Sequence, residues 1–367
     1  MKKTFLTFSK KNVLLLFLLS IPLLSVANEE KQKTIEWPSY GGDNSYARFS
    51  SSKEITPLNI QNLKPAWAIR TDTEKPLMVV RTFANTPLMV NNSLFACSPD
   101  EDIIALDPET GTTQWRFDFS SLGLSYSKLR GNCWGIVYHF NEQAKFGEAC
   151  QSRLLHVTQM GHLFAIDANT GNICKAFGNK GVISFRAHEE ELFSGEIYNT
   201  TVPVIVGNTI VVGNSPIDGL RANGPKGYIR AFDVLSGKPL WIFRPVPGPD
   251  DKAAYLTWAP GSAENTGGAN VWSGFSADAE LGLVYAPIAT VAPDFYGGER
   301  PGNNLYANSL VALDISTGLP KWHYQLVHHD IWDYDLPSPP LLVDLNIDGK
   351  IKKCCHSAHQ NGHGFYL

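Results

Sequence analysis

The stretch ALDPETGTTQW occupies residues 105–115, and three similar stretches follow it along the chain. They read AIDANTGNICK at 165–175, AFDVLSGKPLW at 231–241 and ALDISTGLPKW at 312–322. In every copy an Asp follows the first Ala by two residues and a Gly follows that Asp by four. A Trp comes four residues after the Gly in all copies except the second, which has Lys175.

This repeat predicts a strand, a tight turn and a second strand, since alternating or apolar runs precede each copy. The Asp would bond the backbone of the turn, the Gly would adopt a positive φ, and the Trp would fill the gap between adjacent sheets. The copies are 60, 66 and 81 residues apart, which fits the blades of a β-propeller with inserted loops. Residues 120–150 and 245–270 are expected to be long loops. The sequence therefore predicts an all-β protein.

The N-terminus has the pattern of a secretory signal peptide covering residues 1–27. Lys2, Lys3, Lys10 and Lys11 precede the apolar run VLLLFLLSIPLLSV, and Ser25 and Ala27 have the spacing of a cleavage site. Removing it leaves 27 basic residues against 35 acidic ones, a net charge of −8, which argues against nucleic acid as a partner. No other stretch approaches the length of a membrane span, so we expect an exported chain whose mature form, 28–367, has no transmembrane segment.

Six cysteines make disulfides possible in an exported protein, although their pairing is not readable from spacing. A free buried thiol is an alternative for Cys97, which lies in an apolar, strand-like run. In the tail, Cys354, Cys355 and three histidines are potential metal ligands. Adjacent cysteines rarely share one ion, so we interpret the tail as a degraded or displaced strand.

The repeat, together with four further stretches, resembles the pyrroloquinoline quinone (PQQ)-dependent dehydrogenases, and most closely the membrane-bound glucose, quinate and polyol dehydrogenases. These stretches are WPSYGGDNSYARFS (37–50), GYIRAFD (227–233), GGANVWSGFSAD (267–278) and VHHDIWDYD (327–335). The resemblance implies an eight-bladed propeller, of which this chain holds only part. It also implies periplasmic oxidation of an alcohol or sugar hydroxyl, with PQQ and a divalent metal, usually calcium, as cofactors. The electrons would pass to a membrane quinone or a cytochrome.

The same resemblance assigns roles to individual residues. Asp333 takes the position of the catalytic carboxylate, and a carboxylate beside a metal is a suitable general base for an alcohol proton. Trp272 and Asn270 would contact the quinone, with Trp272 stacking on its ring, and Arg130 is a further cofactor contact. Asp333 and Asp218 would bind the metal.

Neighbouring residues of VHHDIWDYD have more than one interpretation. Asp335 is a further metal ligand or a hydrogen-bonding neighbour of the metal site, and would share a face with Asp333 if the stretch is extended. His328 and His329 would steer the substrate or bond to nearby backbone.

Several positions depart from the family pattern. Trp134 replaces an Arg that contacts the quinone, Gly219 replaces an Asn that follows the metal-associated Asp, and Thr290 replaces another Asn. Gln360 lies where a quinone-contacting Lys is usual. We therefore expect the 367-residue chain by itself not to form an active holoenzyme. The alternatives are a disrupted remnant of such an enzyme and a non-catalytic propeller that serves as a scaffold in outer-membrane assembly.

We predict that export removes residues 1–27, because the basic segment, the apolar run and the Ser25/Ala27 pair occur in the required order. Mass spectrometry of the exported protein should find Asn28 as its first residue. An exported species that still begins at Met1 would contradict this prediction.

Overall fold

A computed structural model describes residues 35–71, 81–124, 131–185, 192, 195–360, 362 and 364–367 of the chain. The predicted signal peptide lies outside the described residues. Almost all regular structure is β, as the repeat predicted. The exceptions in the described part are two 3₁₀ helices, Ile60–Asn62 and Phe119–Leu122, and one α-helix of a single turn, Lys252–Tyr255. None of the helices in these ranges is long and apolar enough to cross a membrane.

The strands are short and follow one another closely. In chain order, the strands of the first half are β1 (Arg81–Phe83), β2 (Leu88–Val90), β3 (Ser93–Cys97), β4 (Ile103–Leu106), β5 (Thr113–Phe117), β6 (Gly131–Cys133), β7 (Ile136–Phe140), β8 (Ser152–Val157), β9 (His162–Asp167), β10 (Val182–Ser184), β11 (Ile197–Tyr198) and β12 (Val204–Val206). The remaining ones are β13 (Thr209–Val212), β14 (Ser215–Pro216), β15 (Ile229–Asp233), β16 (Pro239–Phe243), β17 (Ser276–Asp278), β18 (Leu283–Ile288), β19 (Ser309–Asp314), β20 (Pro320–Gln325), β21 (Leu341–Ile347), β22 (Lys350–Ala358) and β23 (Gly364–Tyr366).

Most of these strands form antiparallel sheets that come one after another in sequence. The four-stranded sheets have the orders β2-β3-β4-β5, β7-β8-β9-β10, β12-β13-β15-β16 and β17-β18-β19-β20, and β21-β22-β23 form a three-stranded sheet. Two further small sheets are a parallel β1·β6 pair and an antiparallel β11·β14 pair. Successive four-stranded meanders are the blades of a propeller. The tail forms strands, as expected, and residues 136–140 are a strand where a long loop was predicted.

Three copies of the repeat form the last hairpin of a sheet. The hairpins β4/β5, β15/β16 and β19/β20 share a register shift at the same point, directly after the Ala of the repeat. The second copy differs, since β9 is followed by a loop and β10 begins only at Val182. In that loop Cys174 forms a disulfide with Cys150. The copy without the Trp is thus also the copy without the regular hairpin.

The Asp of the repeat bonds the turn that follows it, as the sequence predicted. Asp107 Oδ1 accepts hydrogen bonds from the backbone N–H groups of Glu109 and Thr110, at 3.0 and 2.8 Å. Asp314 makes the equivalent bonds with the backbone N–H groups of Ser316 and Thr317. Hydrogen bonds from the side chains of Ser316, Lys321 and Thr317 hold the pKa of its carboxyl well below the ordinary value. The turn is therefore fixed by its own side chain.

The Trp of the repeat packs on the Gly of the next sheet's repeat. A Cβ built on Gly171 would lie 2.7 Å from the Trp115 ring, and one on Gly318 would lie 2.5 Å from the Trp241 ring. Beside Gly237 the neighbour is Ile183, because the second copy has no Trp. Each Gly has a positive φ and no room for a side chain, so the repeat joins sheets as well as forming them.

Apolar cores lie between successive sheets. One core combines residues of the first and second large sheets, the next combines the second and third, and the others join the third to the fourth and the fourth to the fifth. A disulfide between Cys97 and Cys133 crosses the first of these cores, so Cys97 is not a free thiol. Cys354 and Cys355 are unpaired.

Glu101 is a buried acid at the contact between the first two sheets. It lies in the β3–β4 turn, is 4% exposed, and its Oε1 accepts a 2.6 Å hydrogen bond from the backbone N–H of Gln159. Oε2 has no hydrogen-bond partner among the residues described. Burial, reinforced by the charge of Asp102, raises the pKa of Glu101 to about 8.

We predict that replacing Gly318 by Ala lowers the free energy of unfolding by about 1–3 kcal/mol more than replacing Gly349 by Ala. Both glycines have similar positive φ values, 71° and 77°, but a Cβ at Gly349 meets no atom within 4 Å. The two variants therefore share the backbone strain and differ in the clash with Trp241. Urea unfolding measures the difference, and equal losses would contradict the packing role of the indole.

We predict that Glu101 makes the fold less stable as pH rises. Its folded-state pKa lies above its ordinary value of 4.5, so the folded state keeps a proton that the unfolded chain releases. The stabilisation is complete below about pH 4.5 and is lost as pH rises through about 8. Glu101→Gln should remove this part of the pH dependence of the unfolding free energy, whereas the exposed control Glu109→Gln should retain it. Superimposable pH profiles for Glu101→Gln and wild type would refute it.

Candidate functional site

The segment between β20 and β21 contains the charge-dense stretch VHHDIWDYD and turns around Asp330. Asp330 is 2% exposed; its Oδ1 accepts from the backbone N–H of Trp332, and its Oδ2 from the N–H of Tyr334 and from Asn308 Nδ2. Asp333 has a φ of 58°. The stretch is therefore a tight turn and not the extended segment that would place Asp333 and Asp335 on one face.

Asp333 lies half-buried in this turn. Burial raises the pKa of its carboxyl, and the negative charge of Asp330 adds to the effect. A carboxylate that is partly desolvated and has an acidic neighbour accepts a proton more readily than one in water. This is the electrostatic condition of a general base.

Asp335 connects this turn to Trp272. Its Oδ2 accepts a 2.8 Å hydrogen bond from the Trp272 indole N–H, and its Oδ1 accepts a 2.7 Å bond from the backbone N–H of Thr290. Its own backbone N–H donates to Oε1 of Gln360 at 3.0 Å. Burial raises the pKa of Asp335 to about 7, and the charges of Asp333 and Asp218 contribute. The Trp272 indole is thus held in a fixed orientation by Asp335.

A second group of oxygen-bearing side chains lies near this turn. Asn270 Nδ2 donates to Asp218 Oδ2 at 3.4 Å, and Asn270 Oδ1, in a residue that is 2% exposed, has no hydrogen-bond partner within the described ranges. Burial, with the charge of Asp333, raises the pKa of Asp218 to about 6. Burial and the charges of Asp218 and Asp333 raise the pKa of Asp294 to about 7. These acids therefore repel one another.

Sequence reasoning missed Asp294 and the buried Arg300. Arg300 is fully buried and donates to the backbone oxygens of Pro293 and Asp330, at 3.2 and 2.5 Å, and to Asn304 Oδ1 at 3.0 Å. It ties the segment that carries Asp294 to the turn that carries Asp333. Both residues lie in APDFYGGERP, a Pro- and Gly-rich stretch. Its three charged residues were the only feature that could have pointed to a site.

A cavity of about 410 Å³ adjoins Trp272. Its lining includes Trp134, Arg48, Thr200, Ser273 and His356. The Arg48 guanidinium lies over the Tyr40 and Tyr46 rings, 4.9 and 5.2 Å from their centroids. The cavity combines indole side chains with one cation, which suits a flat aromatic molecule that carries negative charge. Trp134, one of the positions singled out in the sequence, lines the same cavity.

The remaining predicted residues have varied placements. Arg130 lies outside the described residues. His329 Nδ1 is 3.0 Å from the backbone oxygen of Gly302, which agrees with the interpretation that it bonds to backbone, and His328 is exposed.

A compact metal-ligand group does not occur at these acids. Within the described ranges, Cys97, Cys133 and His156 form the one group of three or more His, Cys, Asp or Glu residues whose potential ligand atoms all lie within 4.8 Å of one another. Its two cysteines are joined in the disulfide. The carboxylates of Asp218, Asp294 and Asp333 are therefore more widely spaced than that.

The fold and this site define a propeller with an indole and several carboxylates at one locus. Residues 37–367 match the family described as "PQQ: Glucose/ethanol/alcohol dehydrogenase, beta-propeller domain", and the chain belongs to this family. It is 35% identical over 347 residues to quinoprotein glucose dehydrogenase of Escherichia coli, an alignment that covers 90% of this chain and 42% of that protein. It is 32% identical to quinate/shikimate dehydrogenase (quinone) of Acinetobacter baylyi, covering 95% and 44%.

A solved structure extends the comparison. Quinohemoprotein alcohol dehydrogenase from Comamonas testosteroni superposes with a TM-score of 0.75 at 27% identity, covering 91% of this chain and 47% of that one. The chain thus spans less than half the length of the relatives and of the structure that it matches.

We predict that Asp330→Ala lowers the free energy of unfolding by about 3 kcal/mol, because several donors lose one buried, charged acceptor. Hydrogen exchange should accelerate at the amides of Trp332 and Tyr334. Asp344→Ala, which removes an exposed carboxylate on β21, is the control and should change neither quantity. Unchanged exchange at those two amides in Asp330→Ala would rule out this role.

Proposed function

We propose that this chain forms part of a PQQ-dependent dehydrogenase that oxidises an alcohol or sugar hydroxyl of the glucose, quinate or polyol type. The observation that carries the proposal is the hydrogen bond between Trp272 and Asp335, which orients an indole through the residue two positions after the proposed base, Asp333. A propeller that served only as a scaffold would have no need to bury several acids around such an indole. The names of the relatives support the class of reaction.

The residues around the cavity fit a planar, anionic quinone. Trp272 would stack against the ring, and its bond to Asp335 limits rotation of the indole. Asn270 lies two residues before it and would contact the quinone's polar edge, and Arg48 would attract its carboxylates. Arg130 is proposed as a further cation that contacts the quinone, on the family resemblance of the sequence alone. PQQ, when bound, would accept the two electrons removed from the alcohol.

The oxygen atoms at this site fit a hard cation such as calcium. Asp218 and Asp333 would supply carboxylate oxygens and Asn270 its unpaired buried Oδ1. Both oxygens of Asp335 accept other hydrogen bonds, so we assign Asp335 to orienting Trp272 and placing negative charge beside the cation. A cation would also offset the repulsion among these acids, since desolvated like charges are costly without a counterion.

Asp333 would take the proton of the substrate hydroxyl. The turn around Asp330, fixed by the backbone N–H groups that donate to its carboxylate, holds Asp333 in place. The reaction is proposed for the periplasm, where the predicted signal peptide would deliver the chain. A membrane quinone or a cytochrome is the proposed acceptor of electrons.

We predict that the mature chain binds PQQ in the presence of calcium, with quenching of tryptophan fluorescence, at concentrations above the micromolar range. Trp272→Phe should weaken this binding, because a phenyl ring covers less of the quinone and cannot bond to Asp335. Trp332→Phe, a change of the same kind at an exposed indole, should bind like wild type. Folded protein that shows no saturable quenching up to millimolar PQQ would favour the scaffold.

We predict that Asp333→Asn, made in a completed propeller, lowers dye reduction with glucose, quinate or a polyol by about a hundredfold or more. Asn is nearly isosteric with Asp but cannot accept the hydroxyl proton. Circular dichroism should match wild type, and so should PQQ titration at saturating calcium. Turnover retained at saturating PQQ and calcium would show that Asp333 is structural.

A further inference from the structure

Gly219 leaves a gap beside Asp218 that Asp294 borders. A Cβ built on Gly219 would lie 3.2 Å from Asp294 Oδ2, which is tighter than ordinary contact. The two positions therefore compete for the same space. An amide side chain at 219 would crowd Asp294, whereas glycine lets the Asp294 carboxylate lie against the segment that carries Asp218.

Asp294 has an oxygen that is available to a ligand. The residue is 6% exposed, and its Oδ1 makes no hydrogen bond to any described residue. An ionised carboxylate in such a position is costly unless it is paired or binds a metal. Arg300 holds the neighbouring backbone but donates to Pro293 and not to the Asp294 side chain.

A second orphaned atom points to a ligand at the same place. Oδ1 of Asn270 also has no hydrogen-bond partner among the described residues, although Asn270 is 2% exposed and its Nδ2 bonds to Asp218. Buried amide oxygens are rarely left unpaired. Carboxylate and amide oxygens are the donors that calcium prefers.

We propose that Asp294 is a ligand of the cation and replaces the side chain that is missing at Gly219. The inference rests on the proposed function, because it concerns the same cation as Asp218 and Asp333. Asp294 lies in the segment after β18, Asp218 in the segment after β14, and Asp333 in the β20–β21 turn. Arg300 joins the first and last of these segments, so Asp294 approaches the cation together with the turn that carries Asp333.

This arrangement changes the charge of the site. An amide ligand is neutral, whereas Asp294 brings a full negative charge, so Asp218, Asp294 and Asp333 together place three carboxylates around one cation. More carboxylate ligands tighten calcium binding. Repulsion between the three carboxylates would reduce this gain in calcium affinity, because binding must bring them closer together.

Calorimetric titration of calcium chloride into the mature chain, without PQQ, tests the proposal. Asp294→Asn should weaken calcium binding by about tenfold or more, the effect of losing one charge-assisted contact. Asp348→Asn removes the same charge from the exposed β21–β22 turn and should stay within about twofold of wild type. The double variant Gly219→Asn/Asp294→Ser, in which the shorter side chain at 294 leaves room for an amide at 219, should recover part of the affinity.

Thermal unfolding separates a ligand from a merely structural residue. Without calcium, Asp294→Asn should be at least as stable as wild type because one of the repelling charges is gone, and calcium should raise its Tm less than that of wild type. Asp294→Ser provides the same comparison if the Asn variant does not fold.

Two results would overturn the inference in distinguishable ways. Asp294→Asn that binds calcium like Asp348→Asn, while Asp218→Asn binds weakly, would leave the cation site in place and exclude Asp294 from it. A folded wild-type chain that does not bind calcium at millimolar concentration would remove the cation site of the proposed function as well.

Discussion

The contact between an indole of one sheet and a glycine of the next is the constraint on which the rest of the structure depends. Trp115 on Gly171 and Trp241 on Gly318 set how closely successive sheets approach. Because each ring occupies the space of a side chain, the angle between neighbouring sheets is fixed by van der Waals contact. The segments that connect one sheet to the next are fixed with it, and these segments carry the candidate site.

The site concentrates acids where the fold cannot solvate them well. Asp218, Asp294 and Asp335 are buried enough for their pKa values to reach about 6 or 7. Hydrogen bonds satisfy Asp335, and those bonds orient Trp272. Asp294 keeps an oxygen without a hydrogen-bond partner among the described residues, and so does Asn270, which bonds to Asp218. A bound cation stabilises a site most when it meets such unpaired oxygens. Stability and function are therefore linked at this place.

The sequence was sufficient for the repeating part of the fold. An Asp, a Gly and a Trp at constant spacing each have a local physical role, so the hairpins and the contacts between sheets followed from them. Trp272 and Asp335 were identified as site residues, but their hydrogen bond was not, because it joins side chains 63 residues apart. The cysteine pairing was open for the same reason.

Other features depended on burial, which the sequence does not display. Asp330 lay inside a stretch already singled out, yet nothing distinguished an acid that accepts hydrogen bonds from one that reacts. Arg300 and Asp294 lie among glycines and prolines, a composition typical of exposed loops, and Arg300 is fully buried. The condition under which Asp333 and Asp335 would share a face, an extended backbone, is not met, because Asp333 has a positive φ in the turn around Asp330.

A crystal structure of the mature protein with calcium and PQQ would test the central claim most directly. We expect a planar density against the Trp272 ring and a cation peak coordinated by oxygens of Asp218 and Asp333, with Asp335 still bonded to the indole. Quinone density elsewhere, or a cation held by none of these carboxylates, would contradict it.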